Sequence, residues 1–436
     1  MSVTKDLAFA ERGKRLSIGA GTIDRKAIIA ACIGSALEWY DAFAYLYFSL
    51  VIAKLFFPAE DPTVSLLLAV GTFGLSYLAK PLGALFFASY ADRVSRKRAM
   101  TYTLSLMSLG VAIITFCPPY GTIGSAASAL MLAARFIQGF SSGGEYGAAT
   151  SFLVELSPLD RRGFFSSFNI SAIGLTSVLG GVMGWIINAN FTEAEIASYA
   201  WRIPFALGLL IIPATVYLRQ RIPEPRGGPR EVTPVREILK NHKALSLLAI
   251  GAFAPITITN YALAFFLPTF VIKFLHLSPN DAFVGTAVYG LLQFFLSPVF
   301  GYVSDRYDRR GVLTVAILVL AVISIPCFLY LIACPSLGAL VVTEILLGLA
   351  ATGYQAPMPA YICDLFPPEV RTTSIAVVHD LTATIFGGLT PFFITSLSAL
   401  AGSNLVPGFY VAASALVAFV CICALRPHQV LGLPRK

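Results

Sequence analysis

The feature that constrains this chain most is a repeated one: runs of about 20 or more apolar residues, each long enough as an α-helix to cross a hydrocarbon core of about 30 Å. Twelve such runs occur, at roughly 27–52, 64–90, 99–116, 123–154, 164–187, 201–218, 244–274, 282–303, 313–333, 337–363, 374–400 and 410–425. In a bilayer no water is available to the backbone, so every crossing segment must satisfy its own N–H and C=O groups. An all-α membrane protein with twelve transmembrane helices is therefore expected. Composition agrees, with 57% of residues hydrophobic and 12% charged, against about 25% charged in a soluble domain.

The polar stretches between the runs give the organisation. A segment 219–243, rich in Pro, Gly and charge, reads as a loop between two sets of six spans, 27–218 and 244–425, with short polar segments 1–26 and 426–436 outside them. With the N-terminus placed inside, the inner segments hold 26 of the 31 Lys and Arg residues, while the outer loops and flanks hold Lys54, Arg202 and Lys273. Retention of cations on the cytoplasmic side then predicts that both termini are cytoplasmic, in a multi-pass protein of the cell inner membrane. Orientation also explains the net charge of +8, so no nucleic-acid partner is needed. The first run is too long for a signal-peptide core and is expected to stay as a span. The seven cysteines show no zinc-type spacing.

Two motifs recur. "ADRVSRKR" (91–98) after the second span is echoed by "SDRYDRRG" (304–311) after the eighth, 213 residues on. "ELSPLDRR" (155–162) after the fourth is echoed by "DLFPPEVR" (364–371) after the tenth, 209 residues on. Near-equal offsets point to a 6+6 duplication, hence two pseudo-symmetric six-helix bundles. The second offset carries Arg135 of the fourth span onto Glu344 of the tenth. Equivalent helices thus place a cation and an anion at one depth.

An ionisable side chain at mid-membrane costs about 2.5–3.5 kcal/mol on insertion scales, so such groups face a polar cavity and carry function by default. Eight candidates stand out: Glu38, Asp41, Lys80, Arg135, Glu145, Glu344, His379 and Asp380. Glu38 and Asp41, three apart, share one helix face and suit proton uptake and release, with Asp41 as the carrier and Glu38 next to it. A salt-bridged acid that only holds the first span against the fourth is the alternative. Arg135 offers a planar fork to a carboxylate, either these acids or an anionic substrate; a fixed interhelical clamp is its alternative. His379 and Asp380 could tune proton coupling or form a plain hydrogen-bonded pair.

Lys80, before Pro81, adds positive potential to the pathway. Lys80 and Glu344 are also candidates for substrate contact, as are the polar or aromatic residues Tyr40, Gln138, Asn260, Tyr261, Tyr354 and Gln355. Glu145, among small residues, fits gating. Glu155, Arg162, Asp364 and Arg371 fit a cytoplasmic charge network, and Asp92, Arg93 and Arg96 with their counterparts Asp305 and Arg306 fit a latch at a helix N-terminus.

The chain resembles the major facilitator superfamily and, within it, the metabolite:proton symporter family. The resemblance rests on "EWYDAFAY", "ADRVSRKR", the block from Arg135 to Phe168, "WRIPFALG" and "IFGGLTP", and covers nearly the whole chain. Departures are Ala88, Ala91 and Ser95 where glycines are usual, Asp308 in the second loop copy, Ala42 inserted before Phe43, and "VVHDLT" at 377–382. The resemblance implies a monomeric secondary active transporter working by alternating access, with the first-span acids and Arg135 handling proton and substrate. "ATIFGGLTP" looks like the tri- and dicarboxylate members; zwitterionic osmolytes such as proline and betaine, or shikimate-like acids, are the alternatives, as is export by the same machine. No G-x-x-x-x-G-K-[ST] loop is present, so a proton gradient and not ATP is the expected energy source, with no cofactor. An intramembrane acid–base enzyme is the competing class, but it leaves the duplication unexplained.

Overall fold

The computed structural model describes residues 36, 39–40, 42–93, 96–143, 150, 153–154, 157–209, 243–366 and 371–425. These residues are almost entirely helical, and no strand occurs among them. In chain order the first bundle contains α1 (Ser49–Phe56, preceded by helical residues 42–47), α2 (Pro62–Arg93), α3 (Arg96–Phe116), α4 (Ser125–Ser141), α5 (Arg162–Asn190) and α6 (helical residues 203–209). The second contains α7 (Lys243–Leu275), α8 (Pro279–Arg306), α9 (Arg309–Ala333), α10 (Leu337–Leu365), α11 (Thr373–Ala401) and α12 (Val406–Ala424).

Outward-facing side chains are as apolar as inward ones. On α9 the buried Leu313, Ile317, Leu320 and Phe328 alternate with exposed Val315, Val319 and Val322. A helix that is hydrophobic all round belongs in lipid or in a core. Polar groups turn inward or bond their own helix, as Thr115 does to the Val111 carbonyl and Ser324 to that of Leu320. Helix starts are capped in sequence: Ser278 accepts from Asp281 N–H, Ser336 from Ala339 N–H, and Asp308 from Gly311 N–H. Asp308, unusual in the loop motif, is thus the N-cap of α9.

The bundles join along two seams. α5 and α8 run antiparallel over their whole length, backbone to backbone. A Cβ on Gly174 would stand 2.8 Å from the Gly290 carbonyl oxygen, and one on Gly163 2.7 Å from that of Gly301. Small residues permit this approach, and dispersion between the two backbones holds it. The second seam brings α1 and α2 against α7 and α11. Tyr47 donates to the Ala264 carbonyl at 2.9 Å, the Ser49 and Thr269 hydroxyls meet at 3.0 Å, and Thr384 donates to the Tyr77 carbonyl at 2.9 Å.

Two helices loosen to π geometry, at Asn260–Phe266 in α7 and Ala383–Gly387 in α11. Wide turns of this kind recur at functional positions. The one in α11 sets Gly387 and Gly388 against the rings of Tyr261 and Tyr77, at positions where a Cβ would meet ring atoms at 2.8 and 2.2 Å. The glycines of "IFGGLTP" are there because two tyrosines pack on bare backbone.

Candidate functional site

α4 and α2 build the first half of the site. Arg135 is 2% exposed; it donates to the Gln138 side-chain oxygen at 2.8 Å and to the Ser76 hydroxyl at 3.3 Å, with the rings of Tyr45 and Phe73 at 4.6 and 4.9 Å. One helical turn below Ser76, the Lys80 ammonium stands 4.6 Å from the centroid of the Tyr77 ring. Trp39, Ser76, Tyr77, Lys80, Arg135 and Gln138 line one small cavity of about 30 Å³. Two buried cations, aromatic faces and a neutral amide thus share one wall, a charge pattern that suits an anion.

α7, α8 and α10 build the opposing half, which is neutral except for one acid. The Gln293 amide donates to Asn260 Oδ1 at 2.9 Å and to Gln355 Oε1 at 2.6 Å, and the Gln355 amide donates to the Thr259 hydroxyl at 2.7 Å and the Tyr289 hydroxyl at 3.3 Å. Glu344 is 1% exposed and its Oε2 has no hydrogen-bond partner among the described residues. Leaving an ionised carboxylate without a partner in such a place costs several kcal/mol. The two halves touch at Tyr77 and Tyr261, whose hydroxyls hydrogen-bond across the seam while Trp39 packs on the Tyr261 ring at 5.8 Å.

The expected residues therefore divide. Arg135, Gln138 and Lys80 converge on one cavity; Asn260 and Gln355 converge on a second network; Tyr261 links the two. The Tyr40 and Tyr354 hydroxyls donate to the carbonyls of Pro204, at 3.2 Å, and Ala252. His379 and Asp380 do form a pair, 3.0 Å apart, but the imidazole packs on Phe253 of α7, away from Arg135. Glu344 does not join Arg135 either, because Arg135 is turned towards α2 and the rings of Tyr45 and Phe73. Glu38, Asp41, Glu145 and Glu155, and the side chains of Asp92, Arg93, Arg96 and Arg371, lie outside the described residues.

A charged layer closes one end. Asp305, at the end of α8, accepts from the Gly163 and Phe164 N–H groups at the start of α5, both at 2.8 Å. Arg162 reaches Asp364 of α10 at 2.8 Å. Arg309 bonds both Asp305, at 2.7 Å, and Asp364. Arg306, expected in this layer, instead lies 5.2 Å from the Tyr302 ring, and Arg309 takes its place. A carboxylate on a helix N-terminus is held by oriented N–H groups as well as by charge.

Gln293, Ser76, Tyr77, Tyr47 and Arg309 were not singled out from sequence. Gln293 carried a usable signal, a lone amide inside an apolar run; the tyrosines did not, because aromatic residues are common in such helices. Among the described residues no group of three or more His, Cys, Asp or Glu side chains could hold a metal.

The sequence model of the Major Facilitator Superfamily matches residues 28–287 and 275–434. Relatives include the citrate-proton symporters of Klebsiella pneumoniae, 30% identical over 424 residues covering 96% of each chain, and of Salmonella typhi, 32% identical over 405 residues covering 91% of this chain and 92% of the relative. The proline/betaine transporter of Escherichia coli K12 is 30% identical over 416 residues, 91% of this chain and 82% of the relative. The crystal structure of a D-xylose-proton symporter superposes with a TM-score of 0.70 at 16% identity, over 91% of this chain and 97% of that one, which speaks to the fold alone. Two six-helix bundles, the paired α5–α8 and α2–α11 seams and these likenesses have one reading: the chain belongs to the Major Facilitator Superfamily.

Proposed function

We propose that the protein is a proton-coupled symporter of a small organic acid, of the di- or tricarboxylate class, working by alternating access. The observation that carries this is the pair of buried cations, Arg135 and Lys80, lining one cavity where α1, α2 and α4 meet the seam. A desolvated guanidinium with an aromatic surround discriminates strongly for a carboxylate, and a second cation within the same wall suits a substrate with more than one. The kinship with citrate-proton symporters supports both the substrate class and the proton. Asp41 and Glu38 of the first apolar run are the proton-coupling acids in this reading, and a proton gradient supplies the energy without cofactor or enzymatic step. The molecule works as a monomer in the inner membrane with both termini cytoplasmic, so that the Asp305–Arg162–Asp364 layer is the cytoplasmic gate.

A second reading, symport of a zwitterionic osmolyte, is favoured by the kinship with proline/betaine transporters. Purified protein in liposomes decides between them. With an imposed inward pH gradient, citrate accumulates and glycine betaine does not; the reverse result transfers the proposal to the second class, and accumulation of neither, at any gradient, refutes proton symport of both.

A further inference from the structure

Glu344 occupies a position that substrate recognition does not account for. It stands on α10 two turns from the start of the helix, 1% exposed, with Oε2 unpartnered. The groups around it come from four helices of both bundles. Tyr47 of α1 and Tyr289 of α8 have hydroxyls within electrostatic reach of the carboxyl, and the Ser177 and Thr286 hydroxyls of α5 and α8 lie beside Tyr47. α9 approaches through Cys327, whose carbonyl takes the Thr343 hydroxyl at 3.3 Å. No described cation faces the acid: the charged residues of these helices sit in their first or last turns, as Lys54, Asp281 and Arg306 do.

Tyr47 is the lid over this acid. Its ring packs on Gly180 of α5, where a Cβ would stand 2.5 Å away, and edge-on to Phe283 of α8 at 5.6 Å, while its hydroxyl holds the Ala264 carbonyl of α7. Every one of these contacts except that with Gly180 crosses between bundles, so separation of the bundles at this end must withdraw Tyr47 and admit water to the carboxyl. A carboxyl that is dry in one state and hydrated in another, with no counter-ion among the described residues in the dry state, exchanges charge with its surroundings as the protein cycles.

We propose that Glu344 is a proton-binding site of the transport cycle, opened to water from the end opposite the charged layer when Tyr47 leaves the α5–α7–α8 joint. The proposal rests on the symport reading above and adds to it a second acid, in the second bundle, besides those of the first span. Oxygen–hydrogen bookkeeping is simple: one proton is taken up by a carboxylate oxygen from water and returned to water, with no bond to carbon altered.

The test uses the full chain in two measurements. Infrared difference spectra of purified protein, titrated across neutral pH, read the C=O band of protonated carboxyl groups, and Glu344→Gln removes one titrating component while Glu344→Asp shifts but keeps it. In liposomes the E344Q variant loses accumulation of citrate or glycine betaine, whichever the wild type concentrates, by about tenfold or more, a typical size for a lost coupling between sites. Exchange of the same substrate without a gradient stays within about twofold of wild type. An unchanged titration in E344Q together with undiminished gradient-driven accumulation overturns the proposal while leaving symport intact. A titrating band lost in E344Q, in a protein whose wild type never responds to a pH gradient, keeps the proton site and overturns the symport reading. Gln has the size of Glu and no charge to bury, and a monodisperse gel-filtration peak confirms that E344Q is folded before either measurement.

Discussion

Removing the carboxylate of Asp305 should open the charged end of the molecule. Among the described residues three charged hydrogen bonds cross between bundles there: two N–H donors of α5 to Asp305, at 2.8 Å each, and Arg162 to Asp364, at 2.8 Å. Arg309 bridges Asp305 and Asp364 but lies in the same bundle as both, so it persists in either state and does not bias the equilibrium. A hydrogen bond to a charged group contributes about 1.5–3 kcal/mol net, and a carboxylate at a helix N-terminus adds about 0.3–1 kcal/mol. In Asp305→Asn the amide oxygen still accepts one N–H, so one charged bond and the charge–dipole energy are lost, about 2–4 kcal/mol, or roughly 30- to 900-fold in the ratio of open to closed. Arg162→Gln removes one bond that is 16% and 23% exposed at its two ends, so the low end applies, about 1.5 kcal/mol or roughly tenfold.

Ser304 supplies the assay, being 2% exposed and pressed against Gly163 across the seam. A Ser304→Cys reporter, in a background with native cysteines replaced, is alkylated from the charged side at a rate proportional to the open population. Asp308→Asn is the control, because Asp308 makes the same kind of N-cap bond, at 2.8 Å, entirely within the second bundle. The expected order of labelling rates is D305N, then R162Q, then D308N equal to the parent. Equal acceleration by D305N and D308N would mean general loosening, and the latch argument would be wrong.

Further outcomes follow from other contacts. Arg135→Lys lacks the planar fork that reaches Gln138 and Ser76, and on the organic-acid proposal should weaken carboxylate binding by about 1–3 kcal/mol, read as a KM or Kd increase of about tenfold. Gly290→Ala places a Cβ 2.7 Å from the Gly174 carbonyl oxygen and the Val178 nitrogen; the overpacked seam should lose about 1–3 kcal/mol, seen as a lower midpoint in thermal unfolding, whereas Gly338→Ala, which meets nothing within 4 Å, should not. In the loop after α5, Glu195 closes a capping box with Thr192, whose N–H and hydroxyl hold its carboxyl below the usual carboxylate range. A depressed value in the folded state means stability that is present above the unfolded pKa and lost as pH falls through the folded one. Amide exchange in Glu193–Ser198 should therefore quicken on acidification below the ordinary glutamate range, and Glu195→Gln should flatten that dependence.

Much of this architecture was legible in the one-dimensional sequence. The apolar runs and the duplication could be read because transfer of a side chain into lipid is a local, nearly additive cost that each residue meets wherever its helix lies. The same cost made Arg135, Lys80 and Glu344 conspicuous, since only a functional or paired charge survives at that depth. What meets what was decided by tertiary packing. Arg306 and Arg309 stand three residues apart in one motif, yet Tyr302 takes the first and two aspartates take the second. Arg135 and Glu344 share a depth but face different neighbours, one Gln138 and Ser76, the other Tyr47 and Tyr289. The π turns that set Gly387 and Gly388 beneath two tyrosine rings leave no periodic signature. Such pairings depend on the rotation of each helix about its axis and on how closely neighbouring backbones approach, and those quantities are set jointly by all the helices in contact, so no single stretch of sequence contains them.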